Sequence, residues 1–184
     1  MRRVIGSAWG GVVAVALLAL IPAAGAVVAL ARWRGGPHRW QHSFAEVGMV
    51  VGTAPWLWMI LTPRGSGRSV EAVPLVGLID QLGGAPAVAV EQIGGNLLVF
   101  AAFGACAPLR WPLRVRTVAA LAGAASVVVE LTQYALSIGR VTSVDDVLLN
   151  TAGATSAALG VRVALVLVKR RQARVVARTW SSQR

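Results

Sequence analysis

The sequence predicts an all-α, polytopic helical membrane bundle of about five transmembrane helices, and three observations lead there. Hydrophobic residues fill 56% of the 184 positions and charged residues only 14%, whereas a soluble domain carries ~45–50% and ~25%. Apolar runs recur that are long enough to cross a hydrocarbon core, which takes ~20 helical residues. Those runs lack the period-two alternation of barrel strands, and lipid tolerates only helices or closed barrels.

The runs cover residues 4–30, 44–61, 88–107, 115–136 and 147–168. The first is free of charge throughout, and the second has Glu46 near its start. This divides the chain into an extra N-terminal helix with its basic loop (1–43), a four-helix membrane domain (44–168) and a basic tail (169–184). Trp33, Trp40, Trp56, Trp58 and Trp111 fall near the ends of the runs, at the headgroup level that indole rings favour.

Charge orients the bundle. Cytoplasmic loops collect Lys and Arg. The first loop holds Arg32, Arg34 and Arg39, and the third holds Arg110, Arg114 and Arg116. The tail holds Lys169, Arg170, Arg171, Arg174, Arg178 and Arg184, with Arg162 able to snorkel towards it. Thirteen of the 18 basic residues thus share one side, which is expected to be the cytoplasm. In the second loop Arg64 and Arg68 are balanced by Glu71 and Asp80, and in the fourth Arg140 faces Asp145 and Asp146. This scheme puts the N-terminus outside despite Arg2 and Arg3. The competing reading takes residues 1–26 as a signal peptide ending in Ala24-Gly25-Ala26. Cleavage there would leave four spans and invert every loop, so an uncleaved first helix is the expectation.

The formal net charge of +11 therefore does not call for nucleic acid. A basic juxtamembrane tail attracted to anionic lipid is the simpler use. A single cysteine, Cys106, excludes intramolecular disulfides and multi-thiolate metal sites. His38 and His42 lie four apart in an Arg-rich stretch read as a solvated loop, half a metal site at best. No metal, nucleotide or other cofactor is expected, and no Walker loop, serine elbow or HExxH pattern occurs.

Polar side chains inside spans are costly and default to functional candidates. Ala122, Ser126 and Glu130 follow at i+4 steps in the fourth span, with Gln133 one turn on, which puts them on one face. The third span carries Gly94-Gly95-Asn96, and the fifth carries Asp146 and Asn150, then Gly153, Ala157 and Gly160 as a close-packing face. At 1.5 Å per residue, Asn96 lies roughly 12 Å and Glu130 about 9 Å from the outer ends of their helices. All these groups therefore fall at one level, beside Arg140. Ser143-Val144-Asp145-Asp146 also reads as a capping-box-like helix start, which would by itself account for Asp146. Ion pairing with Arg140 would account for Glu130, and interhelical hydrogen bonding for Asn96, Gln133 and Asn150.

These residues resemble the motifs of a known family. Residues 93–100 (IGGNLLVF) with Gly104, 126–133 (SVVVELTQ) and 139–153 (GRVTSVDDVLLNTAG) are similar to the three signature blocks of VanZ-like proteins, in the same order. Leu61-Thr62-Pro63 and Val73-Pro74-Leu75 resemble the end of that family's first helix and the loop after it. The likeness spans residues 61–160. Two positions depart: Glu71 stands where the family has asparagine, and Ala102 replaces a proline, which predicts a straighter third span. The resemblance implies a four-helix core of a bacterial membrane protein, here preceded by an extra helix. It also implies a cell-envelope role, the family taking its name from a protein linked to teicoplanin resistance.

Three function classes follow. The leading one acts on or near membrane lipids or lipid-linked envelope precursors at the outer face of the cytoplasmic membrane. There Arg140 would bind an anionic head group, and Glu130, Asp145 and Asp146 are the candidates for catalysis or for shaping the site. Ser126, Asn96, Gln133 and Asn150 are the remaining binding candidates. The second is a non-enzymatic binding or assembly module whose polar cluster only specifies helix packing. The third, a small transporter or proton path, is disfavoured because the polar groups are confined to the outer half.

Overall fold

The computed structural model describes residues 8–181. Arg2, Arg3 and Arg184 of the charge argument lie outside the described residues, as does the side chain of Arg178. Five helical stretches are long and apolar enough to cross a membrane. The chain runs α1 (Ala8–Arg34), α2 (Arg39–Leu61), β1 (Gly67–Glu71), α3 (Val76–Gly83), α4 (Pro86–Val99), α5 (Ala101–Arg110), α6 (Val115–Leu136), β2 (Ile138–Ser143) and α7 (Val144–Ser181). It is a multi-pass α-helical membrane protein, as its apolar runs require.

The core lies among α2, α4, α5, α6 and α7, where Ile60, Val99, Phe100, Val118, Ala122, Val129, Ala154 and Ala158 are buried together. The extra helix α1 packs chiefly on α2. Its large residues, such as Leu18 and Ile21, point away from the bundle at 78% and 85% exposure, where lipid covers them. In a bilayer, lipid tails are as apolar as leucine, so close backbone approach holds helices together. A Cβ on Gly153 would lie 1.9 Å from the Leu97 carbonyl oxygen, and one on Gly104 would lie 2.1 Å from that of Ala154. α7 therefore crosses the third span in backbone contact at two levels. Gly52 likewise leaves room for the Ala102 side chain and Gly48 for the Cys106 thiol, joining α2 to α5.

Three expectations are corrected here. The third span is not straighter for lacking a proline. It breaks at Phe100 (φ −111°, ψ 11°), between α4 and α5. The break falls between Leu97 and Gly104, so each half presses separately on α7. The close-packing face of the fifth span runs Asn150, Gly153, Ala154, Ala158 rather than through Gly160, which is exposed and has nothing near it. Steps of four follow the 3.6-residue turn over this length and keep that side inward. The stretch read as a solvated histidine loop is mostly helix: only residues 35–38 connect α1 to α2, and His42 lies in the first turn of α2.

At one end of the bundle, Glu46 of α2 joins Arg34 of α1 and Arg110 of α5, both at 2.5 Å. Arg162 of α7 donates to the Leu113 carbonyl at the same end. At the opposite end the two long loops form a parallel two-stranded sheet that the sequence reading did not foresee. Gly67 pairs with Ile138, and after an irregularity Ser69, Val70 and Glu71 pair with Val141, Thr142 and Ser143. Gly139 permits it: its φ is +68°, and a Cβ there would lie 2.7 Å from the Gly65 backbone. Arg68 then donates to the Tyr134 carbonyl (3.1 Å) and the Ser137 hydroxyl (2.7 Å), a cation closing the C-terminus of α6.

Candidate functional site

Beneath the sheet lies a polar cavity of about 170 Å³ between the ends of α2, α4, α6 and α7. It continues into a space of about 270 Å³ bordered by Glu71, Gln81 and Ser143, with Arg64, Gln92, Gln133, Arg140 and Asp146 common to both. Six of the eight residues singled out from sequence line the first cavity: Asn96, Glu130, Gln133, Arg140, Asp146 and Asn150. Each span brings its polar group for a local reason. On α6 the i+4 steps place Ala122, Ser126, Glu130 and Gln133 on its buried face. On α7, Asp146 and Asn150 lie one turn apart facing α4 and α6.

The hydrogen bonds define what each group has left to offer. Glu130 is 5% exposed, and its Oε2 accepts the Ser143 N–H at 3.0 Å. Asp146 Oδ1 accepts the Asn96 amide. Asn150 Nδ2 donates to Ser126 Oγ at 2.7 Å, while its own Oδ1 is buried without a partner. Gln133 Nε2 donates to the Ile60 carbonyl at 2.9 Å. Arg140 reaches inward from β2 and donates from Nη2 to the Met59 carbonyl at 2.7 Å, leaving Nε buried and unpaired. Burial, with Arg64 nearby, pushes the Arg140 guanidinium down to about 10, so it remains a cation at neutral pH. Ion pairs within 4.0 Å among the described residues belong to Glu46 alone. Arg140 thus shares the cavity with Glu130 and Asp146 without pairing with either.

The capping box is only half formed. Ser143 Oγ accepts the Asp145 N–H at 3.1 Å, as a cap should, but Asp146 does not return to the Ser143 N–H. Glu130 occupies that donor from a different helix, which frees Asp146 to turn towards Asn96. Asp145 faces elsewhere. Its Oδ1 accepts the Leu75 N–H at 2.6 Å and its Oδ2 the Leu78 N–H at 2.9 Å, so it caps α3, whose own N-cap residue Leu75 has no side-chain acceptor. Neither Asp145 nor Ser126 borders the cavity. Ser126 lies behind Asn150 and fixes its amide.

The family model described as VanZ/LLP1 matches residues 42–167. The chain belongs to that family. No curated protein and no solved structure matches it. The VanZ-like motifs now have places in space: Asn96, Glu130, Gln133, Arg140, Asp146 and Asn150 edge the cavity, while Gly104 and Gly153 make the backbone contacts that bring α4, α5 and α7 together. At the divergent position Glu71, the carboxylate borders the outer part of the space and lies against Gly77 of α3.

Sequence reasoning did not single out Arg64, Glu91 or Gln92, which also line the cavity. Arg64 sits in a loop, where a base is ordinary. Gln92 had a usable signal: it precedes Asn96 by four residues on one helix, the pattern that was followed in α6 and α7. Among the described residues, no group of three His, Cys, Asp or Glu side chains is placed to hold a metal ion.

Proposed function

We propose that this VanZ-like protein acts at the outer face of the bacterial cytoplasmic membrane, binding the anionic head group of a membrane lipid or lipid-linked envelope precursor. The observation that carries this reading is Arg140: a guanidinium turned into a polar cavity at the bundle end, with Nε buried and no anion of its own. A half-buried guanidinium without a counter-ion is costly, and an incoming phosphate offers the charge-assisted bonds it lacks. Arg64 adds a second cation at the same cavity. The distribution of Lys and Arg along the sequence favours the outward direction for this end, and family membership favours an envelope role, which extends to glycopeptide resistance.

The test is to replace Glu130→Gln, Arg140→Gln and Asp146→Asn singly in the producing cell. Membrane abundance and susceptibility to envelope-directed antibiotics are measured together. Loss of the envelope phenotype at normal abundance is expected, most strongly for Arg140→Gln. Full phenotype at normal abundance in all three would overturn the reading.

A second reading has its own observation. Asn96–Asp146, Ser126–Asn150 and Gln133–Ile60 are all bonds between different helices, as a non-enzymatic assembly module with a purely structural polar cluster requires. That reading expects Glu130→Gln to keep full function wherever the bundle forms.

A further inference from the structure

The cavity brings two kinds of group together in one lining. Arg140 and Arg64 supply donors only, the natural complement of a phosphate. Glu130, Asp146 and Asn150 supply acceptors. Each of the three already spends one polar atom on the protein: Glu130 Oε2 on the Ser143 N–H, Asp146 Oδ1 on Asn96 and Asn150 Nδ2 on Ser126. Each keeps one oxygen with no hydrogen bond to a described residue, Oε1, Oδ2 and Oδ1 respectively. The Asn150 oxygen matters most, because that side chain is only 1% exposed and its Oδ1 is buried and orphaned. A buried acceptor left unpaired costs about 1–3 kcal/mol, so something with N–H or O–H groups belongs there. The protein's own cations do not fill the role, since Arg140 lines the same cavity and makes no ion pair.

We propose that the ligand is a phosphoethanolamine-type head group, a phosphate joined to a primary ammonium. The phosphate is held by Arg140 and Arg64, and the ammonium lies among Glu130, Asp146 and Asn150. The proposal rests on the head-group reading above and adds the substrate class. Three free acceptor oxygens match the three N–H donors of a primary ammonium. A quaternary choline has no N–H and would leave all three unsatisfied. A phosphoglycerol head carries no positive charge to set against the two carboxylates. The lipid source is favoured over a free phosphoester because the cavity opens among the exposed side chains Val88, Glu91 and Gln92 of a membrane-spanning helix.

Full-length protein in phosphatidylglycerol nanodiscs is titrated with phosphatidylethanolamine or phosphatidylcholine at equal mole fraction. Bound lipid is counted by native mass spectrometry. In parallel, detergent-solubilised protein is titrated calorimetrically with glycerophosphoethanolamine, glycerophosphocholine and inorganic phosphate. The wild-type protein is expected to prefer the ethanolamine compound about tenfold or more in both arms, the worth of one charge-assisted hydrogen bond. Asp146→Asn and Glu130→Gln should erase the preference and keep phosphate binding. Arg140→Gln should lose both. The choline comparison uses unmodified protein, so it stands even if a variant fails to fold. Equal binding of choline and ethanolamine compounds, with Arg140 still required, would overturn the ethanolamine assignment alone. No Arg140-dependent binding of any phosphate probe would overturn the head-group reading as well. A preference confined to the soluble arm would overturn the lipid source.

Discussion

Asp145→Ala isolates a single structural device. The carboxylate is 3% exposed and accepts two N–H groups at the start of α3, those of Leu75 and Leu78. Hydrogen bonds to a charged acceptor contribute about 1.5–3 kcal/mol each. Leu75 is half exposed, so water takes over part of what the carboxylate gave, and loss of a helix N-cap alone costs about 0.5–2 kcal/mol. Together these place the local cost near 2 kcal/mol, or about 30-fold in the opening equilibrium. The assay is amide hydrogen exchange on protein in nanodiscs. Peptides covering residues 72–84 should exchange about 30-fold faster, while those of α6 remain unchanged. Asp145→Asn, which keeps one neutral acceptor, should show a smaller acceleration. Unaltered exchange over residues 72–84 would refute the capping role, and equal acceleration in α6 would show that the carboxylate supports the bundle as a whole.

Further substitutions probe other parts of the fold. Gly139→Ala combines a left-handed backbone with a collision against Gly65; a loss of about 1–3 kcal/mol should lower the thermal midpoint in size-exclusion thermostability measurements, and an unchanged midpoint contradicts the strained turn. Gly153→Ala drives a methyl group into the Leu97 carbonyl and should reduce membrane abundance severalfold, because separating two helix backbones costs close packing along both. Glu46→Gln removes the carboxylate shared by Arg34 and Arg110, yet these pairs are partly solvated, so its effect on the midpoint should be smaller than that of Gly139→Ala. On a Cys106→Ala background, Val141→Cys should be labelled by a membrane-impermeant thiol reagent from outside the cell and Pro37→Cys only after permeabilisation. The reverse pattern overturns the outward placement of the cavity.

The spans were readable because lipid imposes one demand, some 20 apolar residues per helix, and the sequence meets it five times. The cavity residues were readable for the converse reason. Glu130 and Asn150 stand out only because their neighbours are apolar, and the helical repeat then says which of them share a face. Where polar residues are ordinary, that contrast disappears. Arg64 lies in a loop and carries no such mark, whereas Glu91, inside the third run, carried it and was passed over.

The sheet escaped for a different reason. Its two strands are five and six residues long, the first largely solvent-exposed, and far apart in sequence, so no local pattern announces the pairing. Asp145 shows how adjacent residues can part company. It and Asp146 are neighbours in sequence at one helix start, and the turn of the helix sends one carboxylate to α3 and the other to Asn96. Composition cannot separate them, because the deciding partners lie 70 and 50 residues away.

The parallel strand pair also acts mechanically. β2 joins α6 to α7 with no slack, since Ile138–Ser143 is strand from end to end and Val144 already begins the next helix. Its ladder to β1 fastens that junction to the chain leaving α2, and Arg140 pins it again at Met59. Three of the five spans are thereby riveted at this end by a short rigid plate. A carrier that exposes its binding site alternately to the two sides must let such an end splay, and here splaying means tearing a hydrogen-bonded ladder. The ladder therefore ties α2, α6 and α7 together at this end, and separating them there requires its hydrogen bonds to break.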